Sequence, residues 1–107
     1  MFKCPSCDAL GNNEDDALKV CDDKAVDQGC LEQDPVCEAT LTKTGAIVKV
    51  LRACSTKKRY EAAKKKCLRA FVGCPQMAYC TESGCQATLP AMQKGNHFKK
   101  LIFISLP

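Results

Sequence analysis

The sequence predicts a small, disulfide-rich, mainly β domain that carries one basic α-helix. The chain has 107 residues, of which ten are cysteines, four are Phe, two are Tyr and none is Trp. A chain of this length forms one domain with a thin core, and disulfides are the usual remedy, each contributing roughly 2–4 kcal/mol. Disulfides persist in oxidising compartments, so the cysteine content also predicts an extracellular protein, secreted or displayed at the cell surface.

An intracellular zinc protein is the main alternative for so many cysteines. Zinc sites typically repeat a C-x2-C pair, but Cys4 and Cys7 form the only such pair, and His97 is the only histidine. A redox C-x-x-C is disfavoured because eight other cysteines surround this pair and no βαβ pattern follows it. We therefore expect disulfides, no metal site and no cofactor.

The clearest hairpin runs out along CEATLTK, turns at Thr44-Gly45 and returns along AIVKVLRAC. The return strand alternates between two faces, with Ile47, Lys49 and Leu51 on one and Val48, Val50 and Arg52 on the other. Both faces carry apolar residues, which predicts a central strand packed on each side. QMAYC predicts a further strand.

The first 22 residues predict a hairpin-like loop. FKCPSC is typical of a strand, DALGNNEDD is rich in turn residues, and ALKVC is apolar enough to return as a second strand. We expect residues 2–22 to form two strands with an acidic tip.

Residues 56–71 predict an α-helix of about four turns. Apolar residues such as Tyr60 and Cys67 recur at helical spacing, while Lys and Arg fill the other face. Ser55 or Thr56 is positioned to cap its start, and Gly73 follows as an end signal.

Charge is divided unevenly along the chain. Residues 1–38 hold ten acids and three cations, a balance of −7, and residues 39–107 hold thirteen cations and two acids, a balance of +11; together they give +4. The two halves either neutralise one another in the fold or present a charged binding face.

The cysteine order resembles that of the Ly6/uPAR, or three-finger, domains. FKCPSC resembles their first strand, CEATLTKTGAIVKVLRAC their central finger, and YCTESGCQ their closing cysteine box, although Tyr79 replaces a cysteine and Gln86 an asparagine. Across residues 2–89 the resemblance implies five disulfides: Cys4–Cys37, Cys7–Cys21, Cys30–Cys54, Cys80–Cys85 and, as the remainder, Cys67–Cys74.

This resemblance implies a three-finger fold with the basic helix around residues 56–71 inserted before a shortened third finger. The domain would span residues 2–89, followed by a tail at residues 90–107. It also implies an extracellular ligand or modulator of a protein receptor, since the family binds partners through exposed finger tips and few if any members are enzymes.

Catalysis is not expected, and no catalytic residue is predicted. A nucleophile needs a base beside it, and the single histidine, His97, lies in the tail. The His-Asp pair and Gly-rich calcium loop of small secreted phospholipases are also missing from the sequence.

Two groups of residues are candidates for partner binding. The first is the tip of the central hairpin, Lys43, Thr44 and Gly45. The second is the set of helix cations: Lys57, Lys58, Arg59, Lys64, Lys65, Lys66 and Arg69. These cations could attract an acidic protein, a sulfated glycan or an anionic membrane, or could form a solvated face opposite the acidic N-terminal segment.

The alternative function is therefore a toxin-like or defence effector that acts on membranes or anionic glycans through the helix. Nucleic acid is not an expected partner, because the location is oxidising and no aromatics interleave the cations. In the tail, Gly95-Asn96 followed by a spacer and LIFISLP imitates a lipid-anchor signal. Since the apolar run has only seven residues, it is either a truncated signal or an accident.

Overall fold

The computed structural model describes residues 1–70 and 74–92. Seven elements follow one another in this part of the chain: β1 (Lys3–Gly11), α1 (Glu14–Lys24), β2 (Val26–Gly29), β3 (Pro35–Thr44), β4 (Ile47–Thr56), α2 (Lys57–Ala70) and β5 (Gln76–Cys80). The predicted class of small, disulfide-rich, mainly β protein is confirmed. No helix among the described residues is long and apolar enough to cross a membrane.

The five strands form one antiparallel sheet in the order β2-β1-β4-β3-β5. The β3–β4 hairpin is paired from Pro35 opposite Thr56 to Thr44 opposite Ile47. Its turn is Gly45-Ala46, one residue later than predicted, and Gly45 has a φ of 62°. A two-residue hairpin turn favours positive φ, which glycine adopts without a steric cost.

The larger of the two buried clusters lies on one face of the sheet. The predicted alternation of β4 is confirmed, because Val48, Val50 and Arg52 are buried, whereas Ile47, Lys49 and Leu51 are exposed. The predicted packing on both faces is wrong over this stretch of β4. Helix α1 and the segment containing Ala87 and Leu89 cover the buried face, but no other element of the described residues covers the outer side of β4 from Ile47 to Leu51.

The N-terminal segment differs from its prediction, because ALKVC belongs to helix α1 and is not a strand. Asn13 caps this helix, its Oδ1 accepting a hydrogen bond from the Asp16 backbone N at 2.8 Å. Ala17, Leu18 and Cys21 then recur on one helical face and are buried in the core. The cap and this spacing outweigh the strand propensity of the short apolar run.

A close approach between β1 and α1 fixes how the helix lies on the sheet. A Cβ added to Gly11 would lie 2.6 Å from the backbone N of Ala17. The end of β1 therefore accommodates α1 because Gly11 has no side chain.

Helix α2 confirms the helix predicted at residues 56–71 to within one residue at each end. Thr56 is the capping residue, its Oγ1 accepting a hydrogen bond from the Arg59 N at 3.1 Å. The predicted end signal at Gly73 lies outside the described residues.

Five disulfides join the ten cysteines in the pairs that the resemblance implies. Three of them cluster at one end of the sheet: Cys4–Cys37, Cys30–Cys54 and Cys80–Cys85. Cys7–Cys21 joins β1 to α1, and Cys67–Cys74 joins α2 to the residues that lead into β5. Both helices are thus bonded covalently to the sheet or to its connections.

The chain is helical at residues 90–92, where the description ends. His97, the Gly95-Asn96 step and the LIFISLP run lie outside the described residues, so the expectations for the tail at residues 90–107 remain predictions.

Candidate cationic binding surface

Helix α2 presents a dense cluster of positive charge to solvent. Five lysines on it are exposed and together are called the lysine face here: Lys57, Lys58, Lys64, Lys65 and Lys66. Arg59 is also exposed, whereas the side chain of Arg69 lies outside the described part of the chain. The structure therefore brings five of the predicted helix cations to one surface.

The helix is fixed to the sheet and its connecting segments by three contacts near its first and last turns. Tyr60 is buried and its ring centroid lies 4.7 Å from that of Tyr79 on β5. Arg59 donates from Nη2 to Oε2 of Glu32 at 2.6 Å, and Cys67 forms the disulfide to Cys74. Because the backbone of α2 is anchored at both ends, its lysines project from a fixed base.

The charges of α2 are arranged against the preference of a helix. The first turn contains Lys57, Lys58 and Arg59 and no acid. The positive end of a helix dipole disfavours cations, by about 0.3–1 kcal/mol for each exposed charge. Helix α1 obeys the preference, with Glu14, Asp15 and Asp16 in its first turn and Lys24 in its last. The charge of α2 is therefore not explained by the stability of the helix itself.

Acidic residues of the N-terminal half neutralise the central hairpin and not the lysine face. Four ion pairs are formed within the described residues: Glu14–Lys43, Asp8–Lys49, Asp22–Arg52 and Glu32–Arg59. Three of them join the first 24 residues to β3 or β4. The expectation that α2 lies opposite the acidic segment holds only for Arg59, and the five lysines form no ion pair in this part of the chain.

The second predicted site, the hairpin tip, is separate from the helix. Lys43, Thr44 and Gly45 are exposed, but the Lys43 ammonium is paired with Glu14 beside it. The tip and the start of α2 lie at opposite ends of β4, whose ten residues extend over about 30 Å. The two predicted groups of partner-binding residues therefore do not form one surface.

A small cluster of partly buried polar groups lies where α2 meets the sheet. Glu38 pairs in register with Tyr79, and burial raises the pKa of its carboxyl, an effect that the charge of Arg59 opposes. Burial also raises the pKa of the Tyr60 hydroxyl, with smaller contributions from Tyr79 and Glu38. The Lys64 Nζ lies 6.0 Å from the centroid of the Tyr60 ring, at the limit of a cation–π contact.

The sequence did not indicate these contacts beneath α2. The observed hairpin register places Glu38 opposite Ala53, but its other neighbour, Tyr79, comes from β5, some 40 residues later. Periodicity within a segment carries no information on which distant strand pairs with it. Arg52 was placed on the same face as Val48 and Val50, and that alternation was the one available signal that its guanidinium is buried.

Sulfur-rich clusters offer no evident metal site among the described residues. The groups with metal-ligand spacing are Cys4, Cys30 and Cys54; Cys37, Cys80 and Cys85; and Cys7, Cys21 and Asp22. Every cysteine in them belongs to a disulfide. Zinc binds the thiolate, which a disulfide sulfur does not provide.

Comparison with known proteins gives no match: no family model, no curated protein and no solved structure is significantly similar to the chain. The lysine face and its attachment to the sheet are therefore the features of the molecule that indicate a function.

Proposed function

We propose that this chain is an extracellular, non-catalytic binding protein whose lysine face recognises a negatively charged partner. The observation that carries the proposal is the exposure of five lysines on one anchored helix, none of them paired with an acid in the described residues. Charges that do not neutralise one another within the fold attract opposite charge from outside it.

The scaffold supports this function in two ways. Five disulfides are compatible with an extracellular location, where such bonds persist. In addition, Tyr60 and the Cys67–Cys74 bond hold the helix before any partner arrives. A preorganised surface loses less conformational entropy on binding than a flexible segment does.

Binding to cell surfaces tests the proposal. The triple variant K64Q/K65Q/K66Q removes three charges of the lysine face, and K3Q/K19Q/K24Q removes three exposed lysines from elsewhere on the molecule. Fluorescently labelled wild-type protein should bind cells saturably, the first variant should bind several-fold more weakly, and the second should bind like wild type. Equal binding by all three proteins would remove the lysine face from the interaction.

A second candidate function is that of a ligand or modulator of a protein receptor, acting through the hairpin tip. Thr44, Gly45 and Ile47 are exposed there, at the far end of β3 and β4 from the disulfide cluster, and Ile47 leaves half of its surface in solvent. A three-finger arrangement, in which disulfides hold hairpins at their roots, would present this tip to a receptor. The five disulfide pairs and the central β3–β4 hairpin support that arrangement.

The dependence of binding on salt separates the two functions. Binding through the lysine face should weaken steeply as salt rises, because salt screens exposed charges. Binding through the tip should depend little on salt and should fall in the variant T44A/I47A. If T44A/I47A loses cell binding while K64Q/K65Q/K66Q retains it, the receptor function replaces the one proposed first.

A further inference from the structure

We infer that the lysine face binds a sulfated polysaccharide that lies along α2. The inference names the partner class of the proposed site and so rests on the proposed function. Four observations favour such a chain over an acidic protein or a membrane: the spacing of the lysines, their chemical type, the orientation of the helix and the charge of its first turn.

The lysines form two groups along the helix. Lys57 and Lys58 lie on its first turn, and Lys64, Lys65 and Lys66 follow seven residues later. Seven residues correspond to two turns and about 10 Å along the axis, so Lys57 lies in line with Lys64, and Lys58 with Lys65. Lys66 lies beside Lys65, about 100° further round the helix. The lysines therefore form a row of positive charge along an anchored helix, and such a row matches a linear polymer whose negative charges repeat along its length.

Among the side chains that the structure describes, the lysine face lacks the residue types that are common at protein–protein interfaces. Its five free cations are lysines, and the one exposed arginine whose side chain is described, Arg59, is bonded to Glu32. Arginine and aromatic residues are enriched at protein interfaces, whereas lysine is depleted there. Lysine ammonium groups are compact point charges on flexible stems, so they attract a row of anions without the bidentate geometry with which arginine recognises a single carboxylate.

A membrane is a poor fit because the apolar side of α2 is already occupied. Helices that bind at a bilayer interface bury an apolar face among the acyl chains. Here Tyr60 is only 7% exposed and packs against Tyr79 with the two ring planes tilted by 59°, and Cys67 is in a disulfide. Between the two groups of lysines the exposed side chains are Arg59, Glu61, Ala62 and Ala63, so this stretch has no large apolar side chain to insert.

A bound polyanion would offset the unfavourable interaction between the cations of the first turn and the helix dipole. Sulfates bound near Lys57 and Lys58 would neutralise cations that the helix dipole disfavours. Counterions released from a densely charged chain would add to the affinity. In the free protein the helix dipole thus disfavours these cations, and the sulfated chain would supply the opposite charge.

The experiment measures the binding of wild-type protein to heparin, the sulfated polysaccharide used as probe. Desulfated heparin, polyglutamate and vesicles containing phosphatidylserine are the comparison ligands. Heparin should bind most tightly, and its log affinity should fall with log salt concentration with a slope of about −3 or steeper.

Three variants assign the binding to the lysine face. K64Q/K65Q/K66Q should weaken heparin binding about tenfold or more at low salt, since it removes three of the five exposed charges that attract the sulfates. K3Q/K19Q/K24Q carries the same net charge and should bind almost as wild type does. K64R/K65R/K66R keeps the charge and should retain binding, which would show that the positive charge at these positions, and not the lysine side chain itself, is what heparin binding requires.

The outcomes distinguish failure of the inference from failure of the proposed function. Equal losses in K64Q/K65Q/K66Q and K3Q/K19Q/K24Q, or equal binding of heparin and desulfated heparin, would overturn the inference. If polyglutamate or the vesicles bind more tightly than heparin through the same lysines, the proposed function stands and the glycan is wrong. If no anionic probe depends on the lysine face, both fail.

Discussion

Arg52 on β4 donates from Nε to Oδ1 of Asp22 on α1 at 2.9 Å, although its side chain is only 1% exposed. The same guanidinium donates from Nη1 to the Ala87 carbonyl at 2.9 Å, and its Nη2 lies 3.4 Å from the Met92 sulfur. One buried cation therefore joins the central strand, the first helix and the C-terminal segment. No buried side-chain nitrogen or oxygen in the described residues lacks a hydrogen-bond partner, which is the condition for tolerating this charge in a core.

Replacing Arg52 with methionine should lower the free energy of unfolding by about 3 kcal/mol. Methionine fills similar space, but the half-buried Asp22 carboxylate and the buried Ala87 carbonyl would lose their donor, and leaving a buried acceptor unpaired costs about 1–3 kcal/mol. Denaturant unfolding with the disulfides intact measures the change.

Lys49→Met is the control for Arg52, because it removes a cation from the exposed face of the same strand. It should change stability by no more than about 0.5 kcal/mol. In the double variant R52M/D22N the loss should be smaller than the sum of the two single losses, because the two groups interact. Additive losses would show that Arg52 acts independently of Asp22.

Local patterns predicted α2, the β3–β4 hairpin and β5, because periodicity and turn residues within each segment decide them. The same patterns failed at α1, where the five-residue run ALKVC fits a strand as well as a helix. The decisive signal was the cap at Asn13 with acids in the following turn, which favours a helix start. Contacts such as Arg52–Ala87 depend on the three-dimensional fold, so no local pattern reveals them.

At the candidate site, too, local patterns predicted one part of the structure, and the rest depends on the three-dimensional fold. The exposure of the lysine face followed from the helical spacing of Tyr60 and Cys67, which had to face the protein. The sequence could not show that the N-terminal acids pair with β3 and β4 and leave these lysines unpaired. That outcome depends on sheet order, which places β1 beside β4 and brings α1 over the central hairpin.

Gly11→Ala should lower the free energy of unfolding by about 1–3 kcal/mol. The new methyl group would meet the Ala17 backbone at 2.6 Å, and neither the strand nor the helix backbone moves without disturbing the core. Thermal or denaturant unfolding measures the loss. Gly45→Ala is a useful comparison, because nothing lies within 4 Å of its added Cβ and only the positive φ of the turn opposes it. An unchanged stability for Gly11→Ala would mean that α1 shifts freely on the sheet.

Glu38→Gln and Glu32→Gln should change stability in opposite directions. Burial raises the pKa of Glu38, so the folded state is stabilised relative to the unfolded state when this carboxyl is protonated. That stabilisation is full below the ordinary pKa of 4.5 and is lost as pH rises through the raised pKa. The hydrogen bond from Arg59 lowers the pKa of Glu32, so its contribution is present above 4.5 and is lost as pH falls through the lowered pKa.

Melting temperatures measured at about pH 7 and about pH 3 test these signs. Near neutrality Glu38→Gln should melt above wild type and Glu32→Gln below it. At the acidic pH both differences should shrink, because both glutamates then approach the neutral form that glutamine imitates. If Glu38→Gln melts below wild type at neutral pH, its carboxylate stabilises the junction between α2 and the sheet, contrary to its raised pKa.

Removing the Cys67–Cys74 disulfide should loosen α2 and leave the sheet intact. The bond closes a short loop, with a sequence separation of 7, and such a loop contributes about 2 kcal/mol. In C67A/C74A, Tyr60 and Arg59 still hold the first turn of the helix, so the loss should appear as local opening of its second half. Hydrogen exchange at the amides of Lys64, Lys65 and Lys66 should accelerate on the order of tenfold or more, while Val50 on β4 keeps its protection. Equal acceleration at Val50 would show that the disulfide stabilises the whole domain. The position of helix α2 would then depend on the stability of the sheet and not on a local effect of the Cys67–Cys74 bond.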